Sequence, residues 1–237
     1  MRTKVLICAA ALAAVSAFTT MAQNVYSLNV VGYINIPLVE GFQLVANQLD
    51  FDGTGLNNTP ANVLGASLPT GSSVFTWNGT AYSESSYAAP KGGGAATWNN
   101  AISLNPGQGA WLSIPSKGLS GTLSNLTVVG QVDQGTLVNT NLAKGGGFSL
   151  LSSMVPLTGG LQTALSYTPL VGDKVFQWNP TTQAYLPASS FATPKGGGAA
   201  AWTPSEPQIG VGASGVSEGF WLSSGAAAGW TNVFSVQ

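Results

Sequence analysis

The segment VFTWN at Val74–Asn78 decides the fold, because a close copy, VFQWN, returns at Val175–Asn179. Two more matched pairs follow in the same order: Pro90–Trp98 with Pro194–Trp202, and Gly109–Ser113 with Gly219–Ser223. An ordered series of matches indicates one structural unit built twice. Residues kept in both copies are therefore expected to serve the common fold.

The first copy of this segment is predicted to open a β-hairpin. Asn78-Gly79 is a strong two-residue turn signal, because both turn positions need a positive φ. The predicted pairs are Trp77 with Thr80 and Phe75 with Tyr82, which places three aromatic rings on one face.

The second copy has two more residues in this turn. An even insertion keeps every side chain on the same face of the strand. Phe176 is therefore still expected to face Tyr185, which supports the hairpin in both copies.

The rest of the chain also has the pattern of strands and turns, and glycine and proline interrupt it too often for long helices. Predicted strands are Tyr26–Pro37, Phe42–Gln48, Ala95–Trp98, Ala110–Ile114, Ser120–Val132, Phe148–Met154, Ala199–Trp202, Phe220–Ser223 and Trp230–Val236. Short helical turns are predicted at Pro60–Leu64 and Leu161–Ser166. The fold class is all-β, with two tandem homologous sandwich- or barrel-like units at residues 23–121 and 122–237. Phe75 and Phe176 are expected in equivalent core positions.

The first 22 residues have the features of a secretory signal peptide. Arg2 and Lys4 precede an apolar run from Val5 to Ala17, and Thr20–Ala22 supplies small residues for cleavage. No later stretch is long and apolar enough to span a membrane. The expected location is therefore outside the cell or at its surface.

Charged residues are only 6% of the chain, against about 25% in an average soluble domain. After the predicted cleavage the chain keeps five lysines, all eight carboxylates and no cysteine. This weakly charged surface does not favour nucleic acid, which needs clustered cations. It suits a protein that packs beside copies of itself.

Catalytic and metal-binding groups are scarce. The chain has no His, which removes the usual base for a serine nucleophile and a common metal ligand. Asp50 and Asp52, followed by Gly53, are a weak calcium candidate with a short ligand set. Lys91, Lys144 and Lys195 each begin a Lys-Gly-Gly-Gly segment, for which tight turns are favoured over anion sites. No cofactor and no catalytic residue is predicted.

The duplicated aromatics are better functional candidates. The paired tryptophans are Trp77 with Trp178, Trp98 with Trp202, and Trp111 with Trp221. Burial in the core is the favoured role, since large aromatics dominate the energetics of small β-domains. Stacking on sugar rings is the alternative, and repetition would add avidity.

The chain ends suggest a further surface. The strand near Tyr26–Pro37 resembles Ser124–Val132, and Trp230–Val236 is a looser third version. An unpaired strand edge is a template for another chain. The terminal strands are therefore either assembly elements or partners within their own unit. Tyr26, Tyr33 and Trp230 are the candidate partner-facing aromatics.

Three segments also resemble a known group of proteins: Asn29–Asn35 (NVVGYIN), Phe42–Leu49 and Leu104–Trp111, the last containing Pro-Gly-x-Gly-x-Trp. They are similar to uncharacterised secreted β-repeat proteins of environmental bacteria. The resemblance implies export and a β-rich fold, and it implies no activity.

These patterns favour a non-enzymatic structural or interaction protein of the cell surface or extracellular matrix, self-assembling through its terminal strands. One alternative is a glycan-binding module that takes cell-surface polysaccharide on its repeated aromatics. The other is an atypical hydrolase with a pair of carboxylates.

Overall fold

The computed structural model describes residues 30–119, 124–143, 146–211, 215–226 and 229–236. The predicted signal peptide, Tyr26 and Lys144 lie outside these ranges. The described chain is almost entirely antiparallel β-structure with one short helix, which confirms the all-β class. No described helix has the length and hydropathy needed to cross a membrane.

The strands fall into two series along the chain. The first is β1 (Val31–Pro37), β2 (Gly41–Ala46), the helix α1 (Pro60–Val63), β3 (Ser73–Trp77), β4 (Tyr82–Ala88), β5 (Thr97–Trp98), β6 (Gly109–Ile114) and β7 (Asn125–Gln131). The second is β8 (Gly135–Val138), β9 (Gly147–Leu151), β10 (Gly159–Gly160), β11 (Lys174–Phe176), β12 (Trp178–Asn179), β13 (Ala184–Tyr185), β14 (Ser189–Ala192), β15 (Ala201–Thr203), β16 (Gln208–Ile209), β17 (Phe220–Ser224) and β18 (Thr231–Phe234).

Each series contains one five-stranded antiparallel sheet. The first sheet has the order β2-β6-β3-β4-β5, and the second has the order β9-β17-β11-β14-β15. The duplicated motifs occupy matching strands: VFTWN and VFQWN lie on β3 and on β11–β12, and the Gly-x-Trp segments lie on β6 and β17. Both sheets are open at their edges.

Each series also pairs its first strand with its last. β1 pairs with β7 along its whole length, and β8 pairs with β18. The terminal strands β1 and β18 therefore both find partners inside the chain. The proposed boundary at residues 121 and 122 would separate β7 from β1, whereas the pairing keeps them together.

Three hydrophobic clusters form the core: one lies mainly in the first series, one lies in the second, and a third joins Leu44 of the first series to Leu150 and Trp221 of the second. The first packs Val74 and Leu112 of the first sheet against Ile36 and Val128 of the β1–β7 pair. The second contains Val175 and Leu222 of the second sheet. It also includes Leu161, Leu165, Tyr167, Ile209, Phe220 and Trp230.

The first hairpin differs from its predicted register. The loop spans four residues, so Trp77 pairs with Tyr82 and Phe75 pairs with Glu84. Asn78 causes the longer loop, because its side-chain oxygen accepts hydrogen bonds from the backbone N–H groups of Thr80 and Ala81, at 3.0 and 2.8 Å. The shift is even, so the aromatic rings keep a common face.

The second hairpin keeps the same relationship despite its longer turn. Trp178 pairs with Tyr185, as Trp77 pairs with Tyr82. The ring centroids of each Trp–Tyr pair are 5.0 Å apart. An insertion of two residues therefore leaves the face of the strand unchanged, as predicted.

Candidate binding site

The five-stranded sheets carry aromatic side chains on the face turned away from their cores. On β3, Val74 and Thr76 are buried against the core, so the alternation of the strand directs Phe75 and Trp77 to the other side. Trp111 alternates in the same way with Leu112 on β6. The expectation of core positions for Phe75 and Phe176 is thus wrong: both are only partly buried and lie on this second face.

We call this surface the aromatic face. Its members are Phe42, Phe75, Trp77, Tyr82 and Trp111 from the first series and Phe148, Phe176, Trp178, Tyr185 and Trp221 from the second. Each residue of the first set has a counterpart in the second at the matching strand position. The duplication therefore produces one continuous surface from two equivalent sets of rings.

The two sets interlock through reciprocal contacts. The Trp77 indole N–H donates to the carbonyl oxygen of Phe148 at 3.1 Å, and the Trp178 indole N–H donates to that of Phe42 at 2.8 Å. Each hairpin tryptophan thus binds the edge of the opposite sheet. Its ring also packs on the opposite β6 or β17 tryptophan, with centroid distances of 5.6 Å for Trp77–Trp221 and 5.1 Å for Trp178–Trp111.

Four rings of the aromatic face remain open to solvent. Phe42, Tyr82, Phe148 and Tyr185 are between 46% and 51% exposed, whereas Trp221 is buried. Neighbouring rings meet at steep angles, such as 74° for Trp77–Trp221 and 83° for Trp111–Trp178. The tryptophans form neither a wholly buried core nor a flat row; they form the walls of concave pockets.

Two open pockets lie side by side on the aromatic face. The first has a volume of about 490 Å³ and is lined by Phe42, Phe75, Tyr82, Trp111 and Trp178. The second has about 470 Å³ and is lined by the counterparts of these residues together with Tyr82. Both volumes are in the range of small-ligand sites. Among the residues that the structure describes, no Lys, Asp or Glu side chain lines either pocket.

Trp98 and Trp202 lie away from the aromatic face. The Trp98 indole N–H donates to the carbonyl of Gly65 at 2.8 Å, and its ring packs 5.3 Å from that of Tyr87. Trp202 packs at the same distance from Phe191, the counterpart of Tyr87. Both tryptophans are partly buried and cover the outer strands of their sheets.

The two described aromatics near the chain ends, Trp230 and Tyr33, differ in their exposure to solvent. Trp230 is 1% exposed and packs in the second hydrophobic cluster, so it cannot face a partner as suggested from the sequence. Its position in a terminal strand did not show that its side chain points inward. Tyr33, by contrast, is 74% exposed on β1, beside exposed Val31 and Val129.

The calcium candidates are occupied as hydrogen-bond acceptors. Asp50 is buried and accepts the Gly55 N–H at 2.7 Å. Asp52 accepts the backbone N–H and the hydroxyl of Thr54, at 3.0 and 2.6 Å, and the side-chain amide of Asn57. The hydrogen bonds from Asn57 and Thr54 hold the pKa of Asp52 below its usual value. Both carboxylates therefore stabilise the loop through hydrogen bonds, and a cation would have to displace the donors of these bonds.

We expect calcium to leave the stability unchanged. A cation bound only by the folded state raises the melting temperature, so melting in EDTA and in millimolar calcium should give one midpoint. A rise of several degrees with calcium alone would show that Asp50 and Asp52 form a metal site after all.

Other carboxylates are also bound locally. Glu206 accepts the N–H groups of Gln162 and Thr163 at 2.6 and 2.7 Å, and Asp173 accepts the Tyr167 hydroxyl at 2.6 Å. Within the described ranges, no three acidic side chains gather as a metal site would require. These carboxylates stabilise turns and loops.

Glu218 is the most unusual acid. It is almost fully buried where Gln108 stands in the other series, and it accepts the Gln177 side-chain amide at 2.8 Å and the Gly210 N–H at 2.7 Å. Burial raises the pKa of Glu218, and these two hydrogen bonds oppose the rise. Ionisation of Glu218 therefore lowers the free energy of unfolding.

The variant Glu218→Gln should gain stability relative to the parent as pH rises. With a pKa raised by folding, Glu218 binds its proton more tightly in the folded state, so the free energy of unfolding falls as pH increases from the ordinary Glu value through the raised one. Glutamine has no such loss. Urea unfolding of both proteins at pH 4, 5.5 and 7 measures the difference between their free energies of unfolding. If the parent instead became more stable relative to the variant as pH rises, folding would lower the pKa of Glu218 and the prediction would be wrong.

The Lys-Gly-Gly-Gly segments at Lys91 and Lys195 form turns. The N–H of Gly93 donates to the Pro90 carbonyl at 3.0 Å, and the N–H of Gly197 donates to the Pro194 carbonyl at 2.9 Å. The two turns have closely similar positive φ angles at their second and third glycines. The turn prediction is confirmed for these two segments.

Comparison of the chain with protein-family models, curated proteins and solved structures found no match. The assignment of function therefore depends on the geometry of the aromatic face.

Proposed function

We propose that this protein is a secreted, non-enzymatic binding protein of the cell surface or extracellular matrix, and that its aromatic face binds neutral carbohydrate. The observation that carries the proposal is the pair of open pockets walled by equivalent aromatic rings. An exposed apolar surface of this extent is typical of interaction sites.

The chemistry of the pockets favours an uncharged ligand with apolar faces. Sugar rings present C–H faces that pack on aromatic rings, and the linings carry no ionised side chain. Burial raises the pKa of the Tyr185 hydroxyl, so this group stays a neutral donor. Because the rings are steeply inclined, a sugar would enter each pocket instead of lying on a flat platform.

Two equivalent pockets favour a repeating ligand. A polysaccharide presents the same unit many times, and a second contact on the same chain benefits from a high local concentration. The neighbouring pockets share Tyr82, so one glycan chain can contact both.

Removal of Tyr82 tests this function. Tyr82 is half exposed, so Tyr82→Ala should fold while losing a wall of both pockets. We expect at least a tenfold weaker Kd for a neutral oligosaccharide in a tryptophan-fluorescence titration with β-glucan, mannan and chitin hexasaccharides. Tyr33→Ala, an exposed tyrosine on β1, is the matched control and should bind like the parent.

The proposal fails if no neutral hexasaccharide binds the parent protein, or if Tyr33→Ala weakens binding as much as Tyr82→Ala. A preference for anionic alginate would also contradict it, because the pocket linings offer no cation.

We further infer that the chain contains two copies of one β-unit, with the boundary between β7 and β8. Three observations support this division. The two five-stranded sheets have matching strand orders, and Trp77 and Trp178 make reciprocal contacts. Each series also pairs its own first strand with its own last strand. Superposition of residues 30–132 on residues 134–236 tests it. Failure of the two five-stranded sheets to align would contradict it.

Self-assembly is a second candidate function, favoured by the outer face of the β1–β7 pair. Val31, Tyr33 and Val129 are all more than half exposed there, and no second described strand pairs with β1. The double variant Val31→Lys with Tyr33→Lys should reduce the mass measured by light scattering if this face joins molecules. A parent that is monomeric at high concentration would rule it out.

A further inference from the structure

The two pockets of the aromatic face differ in what adjoins them. A further cavity of about 480 Å³ adjoins the second pocket, and Trp77 and Phe148 line both of them. We call this cavity the polar groove. The hairpin turn at 76–80, Gln108 and the loop at 140–143 line it.

The polar groove offers hydrogen-bonding groups that the chain leaves free. The side-chain amide of Gln108 and the hydroxyl of Thr140 make no hydrogen bond within the described residues. Asn141 donates its amide to Asn139, which leaves its oxygen free as an acceptor. Among the described residues, the hydrogen-bonding groups available in this groove are hydroxyls and carboxamides, which are neutral.

The matching place beside Trp178 holds a much smaller cavity. Its volume is about 80 Å³, and it is lined by Gln177, Trp178, Asn179, Pro180, Leu186, Val211 and Glu218. The position of Gln108 is taken by Glu218, whose oxygens are both occupied by hydrogen bonds. In the part of the chain that the structure describes, the site beside Trp77 is therefore the larger of the two.

The geometry points to the polar groove as a specificity subsite for a neutral oligosaccharide that enters from the second pocket. This inference rests on the proposed function, and it adds the direction in which the bound oligosaccharide extends. One sugar packs against Trp77 and Phe148 in the second pocket, and the next places its hydroxyls against Gln108, Thr140 and Asn141. Aromatic rings supply contact area, and convergent polar groups fix orientation, as in other ligand sites.

The difference in volume between the polar groove and the cavity beside Trp178 makes the two ends of the site unequal. A glycan chain bound across both pockets would have one preferred direction. The second pocket would favour oligosaccharides over single sugars, because only a second sugar residue reaches the groove.

Calorimetric titration of four variants tests the subsite. Gln108→Ala and Thr140→Ala should each weaken the binding of a neutral hexasaccharide about three- to tenfold, as expected for loss of a hydrogen bond, and leave monosaccharide binding unchanged. Thr140→Tyr should block the groove and remove the advantage of hexasaccharide over monosaccharide. Thr182→Ala, an exposed threonine in the other hairpin turn, is the matched control and should change nothing.

The outcomes separate the inference from the proposed function. If the groove variants bind the hexasaccharide like the parent while Tyr82→Ala is impaired, the subsite is wrong and the aromatic pockets remain the binding site. If Tyr82→Ala is also unimpaired, the carbohydrate function fails with it. Tighter binding of an uncharged Asn/Thr-rich peptide than of any hexasaccharide would replace the glycan with a polypeptide.

Discussion

Replacing Trp230 with alanine should destabilise the protein more than any change on its surface. The ring is 1% exposed and packs against Tyr167 and Phe220, at centroid distances of 5.9 and 6.1 Å. Its indole N–H donates to the Leu165 carbonyl at 2.7 Å. The change leaves a cavity and an unpaired carbonyl, so we expect a loss of about 3–5 kcal/mol. That is a large share of the about 5–15 kcal/mol typical of a folded domain.

Urea unfolding followed by tryptophan fluorescence measures this loss. Tyr33→Ala is the matched control, because it removes an exposed aromatic from the other terminal strand and should change stability by no more than about 0.5 kcal/mol. Trp230→Phe keeps a ring and loses the hydrogen bond, so its stability should lie between that of the parent and that of Trp230→Ala. Equal stabilities for Trp230→Ala and Tyr33→Ala would contradict the buried position.

The contrast between Trp230 and Tyr33 shows what strand patterns leave open. Tyr33 lies in β1 and Trp230 directly precedes β18, and both were predicted to face a partner. The structure buries one and exposes the other. Trp230 directly precedes β18 and bridges to Tyr167 within the second cluster, whereas Tyr33 lies on the outer face of β1. Strand β8 has no marked alternation and is not among the predicted strands, so the orientation of its partner could not be predicted.

The predicted strands were largely confirmed where β-branched and aromatic residues alternate. β2, β6, β9 and β17 all begin within two residues of their predicted starts. The hairpin register was predicted less well, because the Asn78 side chain competes with the backbone and lengthens the loop. The aromatic side chains of each hairpin nevertheless share one face, as predicted. The extra loop residues in the first hairpin and the insertion in the second are both even in number, and an even shift preserves the face.

The aromatic residues of this face could be identified from the sequence, but the side of the sheets on which they lie could not. In VFTWN, Val74 and Phe75 are both apolar, so alternation alone does not say which side meets the core. The smaller side chains Val74 and Thr76 are the buried ones. The polar groove could not be anticipated at all, because Gln108 and Thr140 are far apart in sequence and meet only through the packing of the two sheets.

The two sheets approach each other closely at Gly109 and Gly219, the glycines that begin the duplicated Gly-x-Trp segments. A Cβ on Gly109 would lie 2.7 Å from the Leu151 carbonyl oxygen, and one on Gly219 would lie 2.8 Å from that of Val45. The second Cβ would also be 3.3 Å from the Cα of Gly109. Neither glycine has a positive φ, so close approach of the backbones is the reason for glycine at both positions.

Gly109→Ala and Gly219→Ala should therefore each cost about 1–3 kcal/mol or more, because backbone atoms of the other sheet must move to admit the methyl group. The movement also separates the tryptophans anchored across this contact, so the hexasaccharide affinity should fall with stability. Gly92→Ala is the control, since it has open space and no left-handed φ, and it should be neutral or slightly stabilising. The double variant should be non-additive, because the first methyl group already parts the sheets. Stabilities of Gly109→Ala and Gly219→Ala equal to that of Gly92→Ala, measured by urea unfolding, would show that the sheets do not meet at these glycines.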